Sequence, residues 1–176
     1  MPPSQLPSRP HIADRGDDLY IEDCSVADLA RTYGTPLFAY STASMTDALQ
    51  AYRNGFAGRK LHVCYAMKAN SSLALLQFFA RQGCGFDIVS GGELARVLAA
   101  GGDPSKVIFS GVGKTRAEML QALEAGILCF NVESEAELEV LSDVASKSGH
   151  TARVSIRVNP NVDPKTHPYI STGLKG

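Results

Sequence analysis

From Lys60 onward, short apolar runs alternate with longer segments whose apolar residues recur every three or four positions. The runs HVCYAM, FDIVS, VIFSG, ILCFNVE and RVSIRVN read as strands. Between them, LALLQFFARQ predicts a helix closed by Gly83. Further helices run through Leu94, Val97 and Leu98, through Met119 and Leu123, and through Leu138, Leu141 and Val144. Gly101 and Gly102, Gly126 and Gly149 stop these three in turn. Each helix start is chemically marked. Ser90 with Glu93, Thr115 with Glu118 and Ser134 with Glu137 are S/T-x-x-E capping pairs, each directly after an apolar strand.

Apolar strands alternating with amphipathic helices imply a parallel sheet covered by helices, the α/β class. No G-x-G-x-x-G follows any strand, so the dinucleotide-binding fingerprint is missing. Five βα units fit an open sheet or part of a (β/α)8 barrel, which needs about 250 residues when complete. Ahead of the repeat, Leu19 to Ser25 alternates like a half-exposed strand. Ser25 and Asp28 cap a short helix, VADLARTY, stopped by Gly34, and Pro36 to Ser41 predicts another strand. A helix through Met45, Leu49, Tyr52 and Phe56 follows, ending near Gly58. Three parts are expected: a flexible tail over 1–18, N-terminal strands over 19–42, and the repeat over 43–176.

Composition narrows the class without naming a reaction. Seventeen basic and eighteen acidic residues leave a net charge of -1, which offers no electrostatic reason to propose nucleic acid or an anionic membrane as partner. No run approaches the roughly 18 apolar residues of a membrane span. The proline- and charge-bearing start lacks the apolar core of a secretory signal. Cys24, Cys64, Cys84 and Cys129 are far apart and read as free thiols, which fits a reducing cytoplasm.

Several motifs invite chemistry. GVGKT, Gly111 to Thr115, has Ile108 where a Walker loop needs glycine, so it reads as a tight turn capped by Thr115. Glu133, Glu135, Glu137 and Glu139 read as a solvated helix start complementing the helix dipole. His11, His62, His150 and His167 have no metal-ligand spacing, and no metal is expected. His167 falls in a polar loop after the fifth strand, at the barrel end where sites are built, and is a candidate for ligand proximity. Lys68 ends the run HVCYAMK. Alternation puts Cys64, Ala66 and Lys68 on one face, and Val63, Tyr65 and Met67 on the other. A lysine desolvated at a barrel mouth over small residues would be nucleophilic toward a carbonyl. A lysine snorkelling from a strand end accounts for the pattern equally well.

YAMKAN at Tyr65 to Asn70 resembles the lysine motif of barrel-type pyridoxal-phosphate decarboxylases and alanine racemases. GFDIVSGGEL, FSGVGKT, FNVESEAEL and RVNPNVDPKTHPYISTGLKG, in that order, are similar to segments of the diaminopimelate decarboxylases. The resemblance runs from about Leu19 to the last residue. It implies a partial TIM barrel carrying pyridoxal 5′-phosphate as a Schiff base on Lys68, beside Ala66. It also implies an aspartate near the cofactor at Asp87 and an arginine near its ring at Arg157. The plain alternatives are a turn-capping aspartate and an arginine in a structural ion pair. The implied reaction is decarboxylation of meso-2,6-diaminopimelate to L-lysine by a cytoplasmic homodimer. Related enzymes act on ornithine or arginine, and a non-catalytic cofactor-binding relative would carry the same lysine. Such enzymes also use a ring-stacking histidine, a glycine-rich phosphate loop and a β-rich second domain, for which these 176 residues hold no matching motif. The 176 residues by themselves are therefore expected to be inactive and poorly folded, with the N-terminal strands belonging to that second domain.

Overall fold

A computed structural model describes residues 10–158. The chain divides into two compact units, 1–61 and 62–176.

In the first unit, β1 (Ile12–Arg15) and β2 (Asp18–Ile21) form an antiparallel hairpin, and β3 (Cys24–Ser25) pairs with β2. Register pairs Arg15 with Asp18, leaving a two-residue turn in which Gly16 has φ 69°. Favoured two-residue hairpin turns need positive φ, and glycine adopts it without steric cost. Order therefore begins ahead of Leu19, and the expected tail over 1–18 is corrected from Ile12 onward. The signal missed was the turn sequence around Gly16. The Ser25 side chain accepts from the Asp28 backbone N–H and caps α1 (Val26–Tyr33), which Gly34 ends. Ser41 likewise caps α2 (Thr42–Gly55), and its hydroxyl donates to Glu22 Oε1 at 2.7 Å. The strand expected over Pro36 to Ser41 is absent. A strand requires a hydrogen-bonded neighbour, and no other strand pairs with this segment among the described residues.

The second unit holds a five-stranded sheet: β4 (Cys64–Ala66), β5 (Gly85–Ile88), β6 (Val107–Phe109), β7 (Cys129–Val132) and β8 (Val154–Ile156). All neighbours are parallel, and the order in space is the order in sequence. A doubly wound sheet reverses direction at a switch point. This one never does, which selects the barrel topology over the open sheet. The helices between strands are α3 (Leu73–Arg81), α4 (Gly91–Ala99), α5 (Arg116–Ala125) and α6 (Glu135–Ser148).

The helices meet one face of the sheet. Phe86, Ile88, Val107, Phe109, Phe130 and Val132 are buried there against Leu76, Leu94, Val97, Met119, Leu123 and Leu141. Each large apolar side chain buried this way contributes about 2 kcal/mol of transfer free energy. The Phe109 and Phe130 rings stack with centroids 5.9 Å apart. Gly102 lets α4 turn back closely, because a Cβ there would lie 2.5 Å from Val97 Cγ1 and 2.9 Å from Phe86.

All three predicted caps form, with a refinement. Thr115 and Glu118 make the full reciprocal box. Ser90 and Ser134 accept from the Glu93 and Glu137 N–H groups, but those glutamates reach one residue further back, to Val89 N and Glu133 N. Glutamates also tie neighbouring loops together. Glu118 Oε1 accepts from Gly91 N at 2.9 Å, and Glu133 Oε1 from Gly111 N at 3.0 Å. The backbone N–H groups of Gly91 and Thr115 hold the Glu118 carboxyl below its usual pKa range.

Candidate active site

The sheet's other face carries the chemistry. Phe86, Ile88, Phe109, Phe130 and Val132 point to the helices, so alternation sends Asp87, Ile108, Cys129 and Asn131 the opposite way, each half-buried. Ala66 pairs in register with Asp87. Ser110 directly follows β6, and its N–H continues the ladder to Ile88 O at 2.8 Å. The polar residues cluster at the C-terminal ends of the strands, where (β/α)8 barrels build their sites.

Lys68 lies at that end, but not in the strand. The chain leaves β4 after Ala66 and makes a 3₁₀ turn, Met67–Ala69, which packs against β5. Met67 is 1% exposed and Tyr65 stacks on Phe79, so the face predicted to meet the helices does so. Lys68 itself is exposed. Of the two readings left open, exposure agrees with the snorkelling lysine and not with the desolvated one, and Lys68 lies in the 3₁₀ turn rather than in the strand. Among the described residues Lys68 makes no hydrogen bond or ion pair, so its amine is uncommitted.

Asp87 sits in a hydrogen-bond chain that crosses three strands. Ser110 Oγ donates to Asp87 Oδ1 at 2.5 Å, and Asn131 Nδ2 donates to Ser110 Oγ at 2.9 Å. Asp87 thus caps no turn. Its charge is felt by the thiols on the same face. Burial, and then Asp87, Cys129 and Cys84, push Cys64 up to about 11. Burial and then Asp87 also raise Cys129.

Arg157 follows β8, and its N–H donates to Val132 O. Its guanidinium pairs with Glu133 at 3.1 Å and is half exposed. Three strands separate β8 from β4, and Arg157 contacts neither Asp87 nor Lys68. The ion-pair reading describes its present partner. His167 lies outside the described residues.

The turn motif holds something the sequence reading missed. The Lys114 ammonium donates to Gly111 O at 2.6 Å, Asn131 O at 2.8 Å and Glu137 Oε1 at 2.7 Å. The side chains of this pair are 0% and 9% exposed. Glu133 is 8% exposed, so two of the four glutamates expected at a solvated helix start are instead buried partners of Lys114 and Arg157. The i+2 spacing separates their helix positions, but it cannot reveal partners supplied by neighbouring loops.

A sequential parallel sheet with helices on one face is the architecture of the (β/α)8-barrel class of α/β proteins, and Lys68 follows the first strand of that sheet. The match is explicit. Residues 42–176 fit the model of the pyridoxal-binding domain of pyridoxal-dependent decarboxylases, and the chain belongs to that family. It is 57% identical over 157 residues to a diaminopimelate decarboxylase of Neisseria meningitidis, an alignment covering 89% of this chain and 39% of that protein. The crystal structure of the Helicobacter pylori diaminopimelate decarboxylase complexed with L-lysine matches with a TM-score of 0.80 and 48% identity, over 85% of this chain and 38% of that one. The diaminopimelate decarboxylase of M. jannaschii matches with a TM-score of 0.86 and 38% identity, over 96% of this chain and 40% of that one. The chain thus spans about two fifths of the length of these relatives.

Proposed function

We propose that the protein is a decarboxylase that converts meso-2,6-diaminopimelate to L-lysine and carbon dioxide, with pyridoxal 5′-phosphate held covalently through Lys68 Nζ. The observation that carries this reading is the uncommitted Lys68 amine. It stands just past the C-terminal end of β4, whose Ala66 is the register partner of Asp87, in a chain 57% identical to a diaminopimelate decarboxylase. The residues present fit the group. An amine engaged in a structural ion pair would resist covalent linkage, and Lys68 has none among the described residues. Ala66 adds little bulk to the face that a flat ring would approach.

When bound, the cofactor supplies an electron sink for the electron pair left at Cα as carbon dioxide departs. The chain's own residues anchor and orient. Lys68 fixes the cofactor's position. Asp87, held by Ser110, presents a carboxylate on the adjacent strand. Arg157, braced by Glu133, presents a half-exposed guanidinium at the same end of the sheet. A homodimer in a reducing cytoplasm completes the reading, and the four free cysteines are consistent with the reducing compartment.

The test is product formation by the full-length protein supplied with pyridoxal 5′-phosphate. Carbon dioxide and lysine in equal amounts from meso-diaminopimelate are expected, with little turnover of ornithine or arginine. Faster turnover of either alternative would reassign the substrate, and cofactor uptake without any turnover would make the protein a carrier.

A further inference from the structure

The backbone around Lys68 is tied down on both sides. Ahead of it in the same turn, Met67 is 1% exposed and belongs to the hydrophobic core. Behind it, three side chains hold the next residues. Tyr65 Oη donates to Asn70 O at 3.0 Å, and Arg96 Nε donates to Ser71 O at 2.9 Å. Asn70 Oδ1 accepts from Ser72 N at 2.8 Å, while Ser72 itself makes no side-chain cap bond at the start of α3. The donors reach this short segment from two different elements, Tyr65 from β4 and Arg96 from α4.

Packing alone does not account for these bonds. The Tyr65 ring lies on the helix side of β4, stacked on Phe79 with centroids 4.2 Å apart. Phenylalanine would keep that stack and leave no hydroxyl to satisfy. The tyrosine hydroxyl instead adds a bond to the carbonyl two residues beyond Lys68. Arg96 is exposed and could stay hydrated, yet its Nε meets the adjacent carbonyl. A short 3₁₀ turn has poor hydrogen-bond geometry of its own, so donors from outside decide how firmly its ends are held. Lys68, by contrast, is exposed and makes no hydrogen bond or ion pair among the described residues. A held backbone carrying a free amine suits a reacting group that must be presented in one orientation.

We infer that Tyr65 and Arg96 are positioning residues that hold the Lys68 turn, so that its amine meets the cofactor's aldehyde in one orientation. The inference rests on the proposed cofactor site, but half of its test needs no cofactor. In the cofactor-free full-length protein, amide hydrogen exchange of the peptide covering 66–72 is expected to quicken roughly fivefold in Tyr65→Phe and in Arg96→Ala, the effect of losing one hydrogen bond. Two chemical probes then separate positioning from mere support. A trace of acetic anhydride demands no particular approach to an exposed amine. Lys68 acetylation, standardised on exposed Lys60, should therefore match the wild type in the double variant Tyr65→Phe/Arg96→Ala. Capture of pyridoxal 5′-phosphate at Lys68, trapped with borohydride, should slow roughly tenfold in that same protein, because its reacting group is no longer oriented. Should the double variant fail to fold, Arg96→Ala alone, at an exposed position, is carried through both probes. A lowered urea midpoint with wild-type capture would make the two residues supports only and overturn the inference. So would wild-type exchange in both single variants, or acetylation and capture falling by the same factor. Failure of the cofactor to attach to the wild type would sink the proposed function and leave the exchange result standing.

Discussion

Lys114 offers the strongest test of how the loops at the site are held. Its ammonium has three protons and three acceptors: two backbone carbonyls and Glu137 Oε1. With side chains 0% and 9% exposed, the pair is screened very little by water. Lys114→Met preserves much of the stem's volume but removes the ammonium, and with it the cation that stands 5.7 Å from the Phe109 ring centroid. Glu137 then stays buried as an unpaired carboxylate, and the Gly111 and Asn131 carbonyls each lose a donor. Breaking one side of a buried pair costs about 3–5 kcal/mol, mostly through the charge left behind. Urea unfolding of the full-length protein, followed by circular dichroism, should therefore show a loss of about that size. The double variant Lys114→Met/Glu137→Leu removes both charges and should recover a good part of it. A loss below about 1 kcal/mol in Lys114→Met would refute the reasoning, as would a double variant that loses the sum of the two single effects.

Three further outcomes follow from local geometry. Burial raises the Cys64 thiol to about 11 from an unperturbed value of 9.0, so the unfolded chain gives up this proton first. The associated stability is present below pH 9 and lost as pH rises toward 11. Urea midpoints should fall across that window, and less steeply in Cys64→Ala. Thr115→Ala removes the side-chain half of the reciprocal box and should cost about 1 kcal/mol in the same assay, with Thr115→Ser near wild type. Gly85→Ala would drive a methyl group into the Lys106 backbone oxygen and the Cys64 sulfur, so a loss of about 1–3 kcal/mol is expected. A wild-type melt for Gly85→Ala would show that β4 and β6 can part without penalty.

The βα repeat was legible because each unit announces itself twice, by an apolar run and by a capping residue at Ser90, Thr115 or Ser134. Both signals are local, and the structure keeps both. The sequential strand order was not legible, since the same repeat serves open sheets and barrels. At Lys68 the alternation argument carried one residue too far. Periodicity predicts a strand face but has no term for a 3₁₀ turn after Ala66. Ser110, Asn131 and Lys114 escaped notice for a different reason. Their importance lies in partners 17 to 23 residues away on neighbouring strands and loops, which parallel pairing brings together and no local pattern encodes. The apolar stretch Pro36 to Ser41 shows the converse: strand-like residues form no strand without a neighbour to pair with.

The central claim is that Lys68 anchors pyridoxal 5′-phosphate, and reductive trapping tests it most directly. The full-length protein is incubated with the cofactor, reduced with borohydride, digested and sequenced by mass spectrometry. The account predicts a single stoichiometric pyridoxyl-phosphate label on the peptide containing Lys68, lost in Lys68→Ala. A stable label on another lysine, or no label on protein that folds normally, would contradict it.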